Sequence, residues 1–110
     1  MSQRKLFEEG LTFFESARFF EAHEVWEDLW RVSEGLPKLF YQGMIQVAVG
    51  LHHQDRNNPV GARGQLRKAI RNLSKVPSGM HDVNTDDLIL QLQRIVDQDR
   101  PEMVRIVRLK

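Results

Sequence analysis

The sequence contains no cysteine, which excludes disulfide bonds, thiolate metal ligands and cysteine nucleophiles and suits a reducing compartment. Its N-terminus lacks the apolar core of a signal peptide, and no run approaches the roughly 18 apolar residues that a membrane span needs. Net charge is almost absent too, since sixteen Lys and Arg residues stand against fifteen Asp and Glu residues. We therefore expect a cytoplasmic protein with no membrane partner and no strong global attraction to nucleic acid.

Charge is nevertheless distributed unevenly along the chain. Eight acidic and two basic residues lie between Glu8 and Glu34, whereas six basic residues and no acidic residue lie between Arg56 and Lys75. The basic segment has no interleaved aromatic residues, so we favour a solvated helix face, or one paired with the acidic segment, over a nucleic-acid interface.

Five segments carry apolar residues at the three- and four-residue spacing of amphipathic helices. They are approximately residues 4–15, 19–32, 37–53, 60–75 and 84–98. Ser2, Asn58 and Asn84 have side chains that can cap the first, fourth and fifth of them. The third is apolar on more than one face, which is typical of a buried central helix.

The C-terminal ending MVRIVRLK, residues 103–110, is β-prone, but a single strand cannot bury itself. We therefore expect this tail to lie along the body or to pair with another chain, which makes a homo-oligomer a partner hypothesis. With 110 residues the chain fits one all-α domain, 1–110, built as a single bundle of about five helices with an extended C-terminal tail.

The stretch FFEAHEVWEDLWR, residues 19–31, begins like the HExxH helix of zinc proteases, but Glu27 replaces the second histidine. On a helical wheel His23 and Glu27 share one flank with Trp30, while Glu21 and Glu24 lie on the other flank. Trp26 is at the centre of the apolar stripe, and we expect it in the core.

A second polar pattern lies on the apolar third helix. Gln42, Gln46, Gly50 and His53 fall on one narrow stripe. A buried polar group without a partner costs about 1–3 kcal/mol, so these side chains need hydrogen-bond partners. Because a short connection makes the second and third helices an antiparallel pair, we predict a polar cluster between them.

These blocks, together with FYQGMIQVAVGLHH and NNPVGA, resemble the bacterial and archaeal family called domain of unknown function 309, over roughly residues 5–75. The resemblance implies a small all-helical fold and assigns no activity; helix 84–98 and tail 101–110 lie outside it. The signature residues that carry over are Glu21, His23, Glu24, Glu27, Trp30, Gln42, Gly43, Gln46, His53, Gly61 and Ala62. Ala17 departs from the pattern, because the family's glycine is expected in that turn.

Metal binding is one functional hypothesis, since imidazole and carboxylate side chains four residues apart can share an ion. The candidates are His23, Glu27 and His53. Glutamines are poor ligands for transition metals, however, and neither a complete HExxH nor a Glu-x-x-His pair is present. Acid–base catalysis by a His–Glu pair lacks a nucleophile, a phosphate loop and a cofactor motif beside it. A metal-dependent hydrolase is thus the weakest hypothesis, and no cofactor is assigned.

The hypothesis we favour is a polar pocket between helices that binds a small polar ligand or ion. Its predicted ligand-binding residues are Glu21, His23, Glu24, Glu27, Trp30, Gln42, Gln46 and His53. The alternative is a helical protein-interaction module in which the same side chains only set the register of the helices.

Overall fold

Five α-helices account for most of the chain in a computed structural model that describes residues 2–109. They are α1 (Gln3–Glu15), α2 (Phe19–Arg31), α3 (Gly35–Asp55), α4 (Pro59–Leu73) and α5 (Thr85–Gln98), with one 3-10 turn at Met80–Asp82. The all-α class and the five helices are confirmed, and every predicted end agrees within two residues. Met1 and Lys110, which the predicted domain and tail include, lie outside the described residues.

Three of the five helices, α1, α4 and α5, begin at the capping residues that the sequence predicts. Ser2, Asn58 and Asn84 each accept a hydrogen bond, through the side-chain oxygen, from the backbone N–H three residues later. Such caps satisfy N–H groups that have no partner within the helix.

The core forms around α3, which packs against α2 on one face and α4 on another, while α1 packs on α2 and α5 on α4. Phe40, Tyr41 and Met44 of α3 are fully buried, as its broad apolar surface predicts. Trp26 is also fully buried, and its indole N–H donates to the Phe7 carbonyl oxygen at 3.2 Å. The prediction that Trp26 belongs to the core is confirmed.

The C-terminal tail lies along the body. Arg108 forms a single antiparallel bridge with Val83, and Val104 is buried in the core. None of the helices within residues 2–109 combines the length and the hydropathy needed to cross a bilayer.

Candidate functional site

His23 lies on α2 with its two ring nitrogens in different surroundings. Nδ1 is 2.9 Å from the Phe20 carbonyl oxygen, and Nε2 is 3.7 Å from Glu27 Oε2. Because a carbonyl oxygen can only accept, Nδ1 carries the proton and a neutral ring leaves the Nε2 lone pair free. The Nε2 atom of His23 and the Oε2 atom of Glu27 thus face each other on one flank of α2, the flank on which the helical wheel places both residues.

Glu27 is engaged by a cation on its other side. Its Oε1 accepts from Arg31 at 2.8 Å, and Arg31 also donates to Asp28 at 2.7 Å. The Glu27 side chain is 40 % exposed, so this surface ion pair adds little to stability. Glu27 Oε2 thus remains available beside the imidazole.

Two aromatic rings extend this surface from α2 to α3. The Phe20 ring is half exposed and lies 5.1 Å from the His23 ring and 5.6 Å from the His52 ring, centroid to centroid. Glu21 lies nearby; its pKa is lowered by its own backbone N–H, by the hydrogen bond from Arg18 and, more weakly, by His52. We call these five residues the α2–α3 patch: Phe20, Glu21, His23, Glu27 and His52.

The glutamine stripe of α3 faces elsewhere. Gln46 accepts a hydrogen bond from Asn72 of α4 at 2.8 Å, and Asn58, the cap of α4, donates to His53 Nδ1 at 3.2 Å. No hydrogen bond or ion pair within residues 2–109 joins His23 or Glu27 to these side chains. The expectation that the stripe meets α2 is wrong, because it forms the α3–α4 contact.

Glycines on the same stripe explain this orientation. A methyl group at Gly43 would lie 2.6 Å from Leu73 Cδ2, and one at Gly50 would lie 2.6 Å from Leu66 Cδ2. The missing side chains therefore let α4 approach closely, so α4 covers this face. His52, one residue from the predicted His53, contacts the α2 side instead.

Three further predicted site residues lie outside the patch contacts. Gln42 is half buried and Glu24 is exposed, and the side chain of neither forms a hydrogen bond or an ion pair with other residues of the range 2–109. Trp30 is half buried beneath Lys38, whose Nζ is 4.2 Å from the ring centroid. Its indole N–H is buried and has no acceptor among the described residues, and such a group costs about 1–3 kcal/mol.

Within residues 2–109, no group of three or more His, Asp or Glu side chains could hold a metal ion. The metal candidates are divided accordingly, with His23 and Glu27 in the α2–α3 patch and His53 at the α3–α4 contact. The donor set that the metal hypothesis requires is not assembled.

A second polar cluster, which no sequence pattern indicated, lies around Tyr41 of α3 and His81 of the 3-10 turn. Tyr41 OH is 2.7 Å from His81 Nε2, and the His81 ring stacks on Phe7 with centroids 4.4 Å apart. Burial lowers the pKa of His81, and nearby Arg4 lowers it further; burial also raises the pKa of Tyr41. The cluster joins α1, α3 and the 3-10 turn, so no local sequence spacing could reveal it.

The sequence matches the family model named "Domain of unknown function (DUF309)" over residues 7–65, a range that includes the whole α2–α3 patch. It is 33 % identical over 85 residues to the uncharacterised protein YpuF of Bacillus subtilis, covering 73 % of this chain and 48 % of that protein. It is 23 % identical over 96 residues to an uncharacterised protein of Aquifex aeolicus, covering 86 % of this chain and 28 % of that protein. The chain thus spans about half of the first relative and about a quarter of the second.

A solved structure shows the same fold. The crystal structure of a conserved hypothetical protein from Thermus thermophilus superposes with a TM-score of 0.69 at 31 % sequence identity. The match covers 82 % of this chain and 94 % of that one. None of these names states an activity.

Proposed function

The chain belongs to the DUF309 family, and because that name assigns no activity, we propose from the geometry that the α2–α3 patch binds a cationic N–H group. The ligand is a small polar molecule, or the side chain of a partner, that carries an ammonium or guanidinium group. Binding rather than catalysis is the function proposed.

The observation that carries this proposal is the pair of acceptors formed by His23 and Glu27. The distance of 3.7 Å between Nε2 and Oε2 is too long for a direct hydrogen bond. With Nδ1 donating to the Phe20 carbonyl, both facing atoms are acceptors when the ring is neutral. A cation with two N–H donors can bridge them with charge-assisted hydrogen bonds.

The surroundings of the pair favour the same ligand. Phe20 is half exposed and offers an aromatic face on which a cation can lie. Glu21, which lies close enough to His52 for that imidazole to lower its pKa, adds a second carboxylate to the patch.

The remaining predicted site residues have a different role under this proposal. Gln46 and His53 bind α4 through Asn72 and Asn58 and so keep α3, which carries His52, in position. Their contribution to ligand binding would be indirect.

Nuclear magnetic resonance of the imidazole nitrogens tests the proposal, with methylguanidinium and methylammonium as probes. We expect a saturable shift of the His23 Nε2 resonance, and Glu27→Gln should weaken binding about tenfold, or about 1.4 kcal/mol. Glu24→Gln is the matched control, because it removes the same charge from α2 away from the patch and should change affinity little. A His23 resonance that does not respond, or equal effects of the two variants, would refute the proposal.

The interaction-module hypothesis retains one specific observation in its favour. The His23–Phe20 hydrogen bond lies within a single turn of α2, so it can stabilise the helix without any ligand. If His23→Ala lowers the melting temperature while neither probe shifts any imidazole resonance of the wild-type chain, this interpretation replaces the ligand site.

A further inference from the structure

The segment Met103–Leu109, which we call the C-terminal strap, is held to the body along one edge. The side-chain amide of Gln91 in α5 forms hydrogen bonds with both backbone groups of Arg105. Its Oε1 accepts from the Arg105 N–H at 2.9 Å, and its Nε2 donates to the Arg105 carbonyl oxygen at 2.7 Å. Further along, Asn84 N–H donates to the Val107 carbonyl at 2.8 Å, and Leu109 N–H donates to the Asp82 carbonyl at 2.6 Å. Residues 105, 107 and 109 therefore direct their backbone groups towards the body.

The opposite edge of the strap has no partner. Backbone groups alternate in direction along an extended chain, so those of residues 104, 106 and 108 point the other way. The backbone groups of Val104 and Ile106 form no hydrogen bonds with other residues between 2 and 109. An unpaired edge of this kind is a template for another strand.

This free edge borders a groove. Val104 and Ile106 line one wall of an open cavity of about 740 Å³, and Phe14, Phe19 and Leu51 supply apolar surface on the side of α1, α2 and α3. The volume lies within the range of about 300–1,000 Å³ that is usual for binding pockets. Because residues of α1, α2 and α3 form the wall opposite the strap, the groove has the form of a cleft beside an extended segment.

The rim of the groove is acidic. Glu15 and Asp55 line it, are exposed, and form no ion pair with residues of the described part of the chain. Glu102 also lines it, but Arg94 lies 3.5 Å from its carboxylate. Arg105 is the single basic lining residue, so the unpaired charge at the rim favours a basic occupant.

We propose that this groove binds an extended peptide segment of a partner protein, with alternating apolar and basic residues, by strand addition to the outer edge of the strap. The peptide backbone pairs with Val104 and Ile106, as in other complexes that extend an open sheet edge. Its apolar side chains contact Phe14, Phe19 and Leu51, and its basic side chains reach Glu15 and Asp55. The site is separate from the α2–α3 patch.

Fluorescence polarisation of the full chain with a labelled, capped pentapeptide of alternating lysine and valine tests the groove. We expect saturable binding that is weakened at least about tenfold when glutamate replaces lysine. Methylation of the backbone nitrogens of the valine residues and methylation of those of the lysine residues should reduce the affinity by different amounts, because alternate backbone amides face opposite edges of an extended peptide. No binding, equal binding of the glutamate peptide, or equal losses from the two methylation patterns would overturn the proposal.

A pair of double variants localises the binding. Glu15→Gln with Asp55→Asn should weaken the lysine–valine peptide several-fold, whereas Glu24→Gln with Asp28→Asn, an equal change of charge on α2, should not. In the free chain the Ile106 amide should exchange rapidly with solvent and become protected when peptide is added. If that amide is already protected and light scattering reports a dimer, a second copy occupies the edge and the peptide proposal is wrong.

Discussion

Ala17 ends α1 in a backbone conformation that usually belongs to glycine. Its φ is 60°, and the N–H groups of Ala17 and Arg18 donate to the carbonyls of Phe14 and Phe13 at 3.0 and 2.9 Å. This is the hydrogen-bond pattern of a Schellman motif, whose left-handed residue is most often glycine. Asn57 ends α3 in the same way, with φ 56°. The glycine that the family resemblance leads one to expect at position 17 thus has a conformational reason.

Ala17→Gly should therefore stabilise the protein. Relief of the left-handed conformation is worth about 1–2 kcal/mol, and the added freedom of the unfolded chain offsets about 0.4–1 kcal/mol. We expect a net gain of roughly 0.5–1 kcal/mol in urea unfolding. Asn57→Gly is the control and should change stability less, because asparagine tolerates this region. A loss of stability in Ala17→Gly would contradict the argument.

At Gly10 the constraint is space rather than backbone conformation, because the indole of Trp26 occupies the position that a β-carbon would take. Gly10→Ala would push a methyl group into this ring, and overpacking of a dense core costs about 1–3 kcal/mol. Gly64 of α4 is exposed and has no atom near the site of an added methyl group. Gly64→Ala should instead gain about 0.5–1 kcal/mol from helix propensity.

Thermal and urea unfolding of the two alanine variants provide the check. Gly10→Ala should be less stable than the wild type and Gly64→Ala more stable, although both substitutions improve intrinsic helix propensity. Equal changes in the two variants would mean that the Trp26 contact does not limit the site.

At the scale of the elements, helix positions are predictable because each helix has a local signal. α2, α4 and α5 carry one apolar stripe each, and Asn58 and Asn84 are caps that mark the start of α4 and α5. The 3-10 turn at Met80–Asp82 has no such signal, since His81 and Asp82 both adopt positive φ with no glycine at either position.

The partner of each face of α3 is not predictable in the same way. Its apolar residues occupy more than one face, so periodicity alone cannot say which stripe meets α2 and which meets α4. The available signal is the pair Gly43 and Gly50, seven residues apart on the polar stripe, which indicates close approach of another helix. This ambiguity explains why the predicted site contains His53, whereas the imidazole that contacts α2 is that of His52.

The strap is joined to α1 by a charged cluster around the half-buried His81. Arg108 donates to both carboxylate oxygens of Glu8, at 3.2 and 2.7 Å, and to the His81 carbonyl at 2.8 Å. The hydrogen bond from Arg108 lowers the pKa of Glu8, and burial lowers the pKa of His81. The charged groups acting on His81 are Arg4, Glu8, Asp82 and Arg108.

Two lowered pKa values predict two separate losses of stability on acidification. Because burial makes the pKa of His81 lower in the folded chain than in the unfolded chain, the free energy of unfolding should decrease as the pH falls below the ordinary value of 6.5. The contribution of Glu8 is present above its ordinary pKa of 4.5 and should be lost as the pH falls further. Both shifts therefore make the folded chain more stable at neutral pH than in acid.

Variants separate the two pH windows in urea unfolding between about pH 7.5 and about pH 3. His81→Asn should remove the upper decline; asparagine is chosen because it tolerates the φ of 49° at this position. Glu8→Gln should remove the lower decline and keep the upper one, since the carboxylate of Glu8 opposes the lowering of the His81 pKa. An upper decline that persists in His81→Asn would assign it to another group.

At the scale of the whole molecule, the charge asymmetry of the sequence becomes a spatial one. The acidic helix α2 and the basic helix α4 pack against different faces of α3. On α4, Arg67, Lys68 and Arg71 are exposed and form no ion pair with residues 2–109, while Arg63 pairs with Asp99 after α5. The basic face is therefore solvated rather than neutralised by α2.

Opposite charges on two sides of one small body predict weak head-to-tail attraction between copies at low ionic strength. At about 10 mM salt the Debye length of about 30 Å exceeds the 12.7 Å radius of gyration, so each face acts on neighbouring molecules. We expect a negative second virial coefficient by light scattering at this salt concentration that rises towards zero by about 0.5 M. Because such a contact is heterologous, it should produce open-ended association rather than a closed dimer.

Replacing Arg67, Lys68 and Arg71 with glutamine should abolish this attraction at every salt concentration. The matched control replaces Lys5, Arg100 and Arg105 with glutamine, which changes the net charge equally but leaves α4 intact and should keep most of the effect. Attraction that persists in about 0.5 M salt, or that survives in the α4 variant, would exclude the charge mechanism. Such a result would instead attribute the attraction to exposed apolar side chains such as Met103 of the strap, which is 88 % exposed. In that case, a chain that ends at Gln98 should show no attraction between copies.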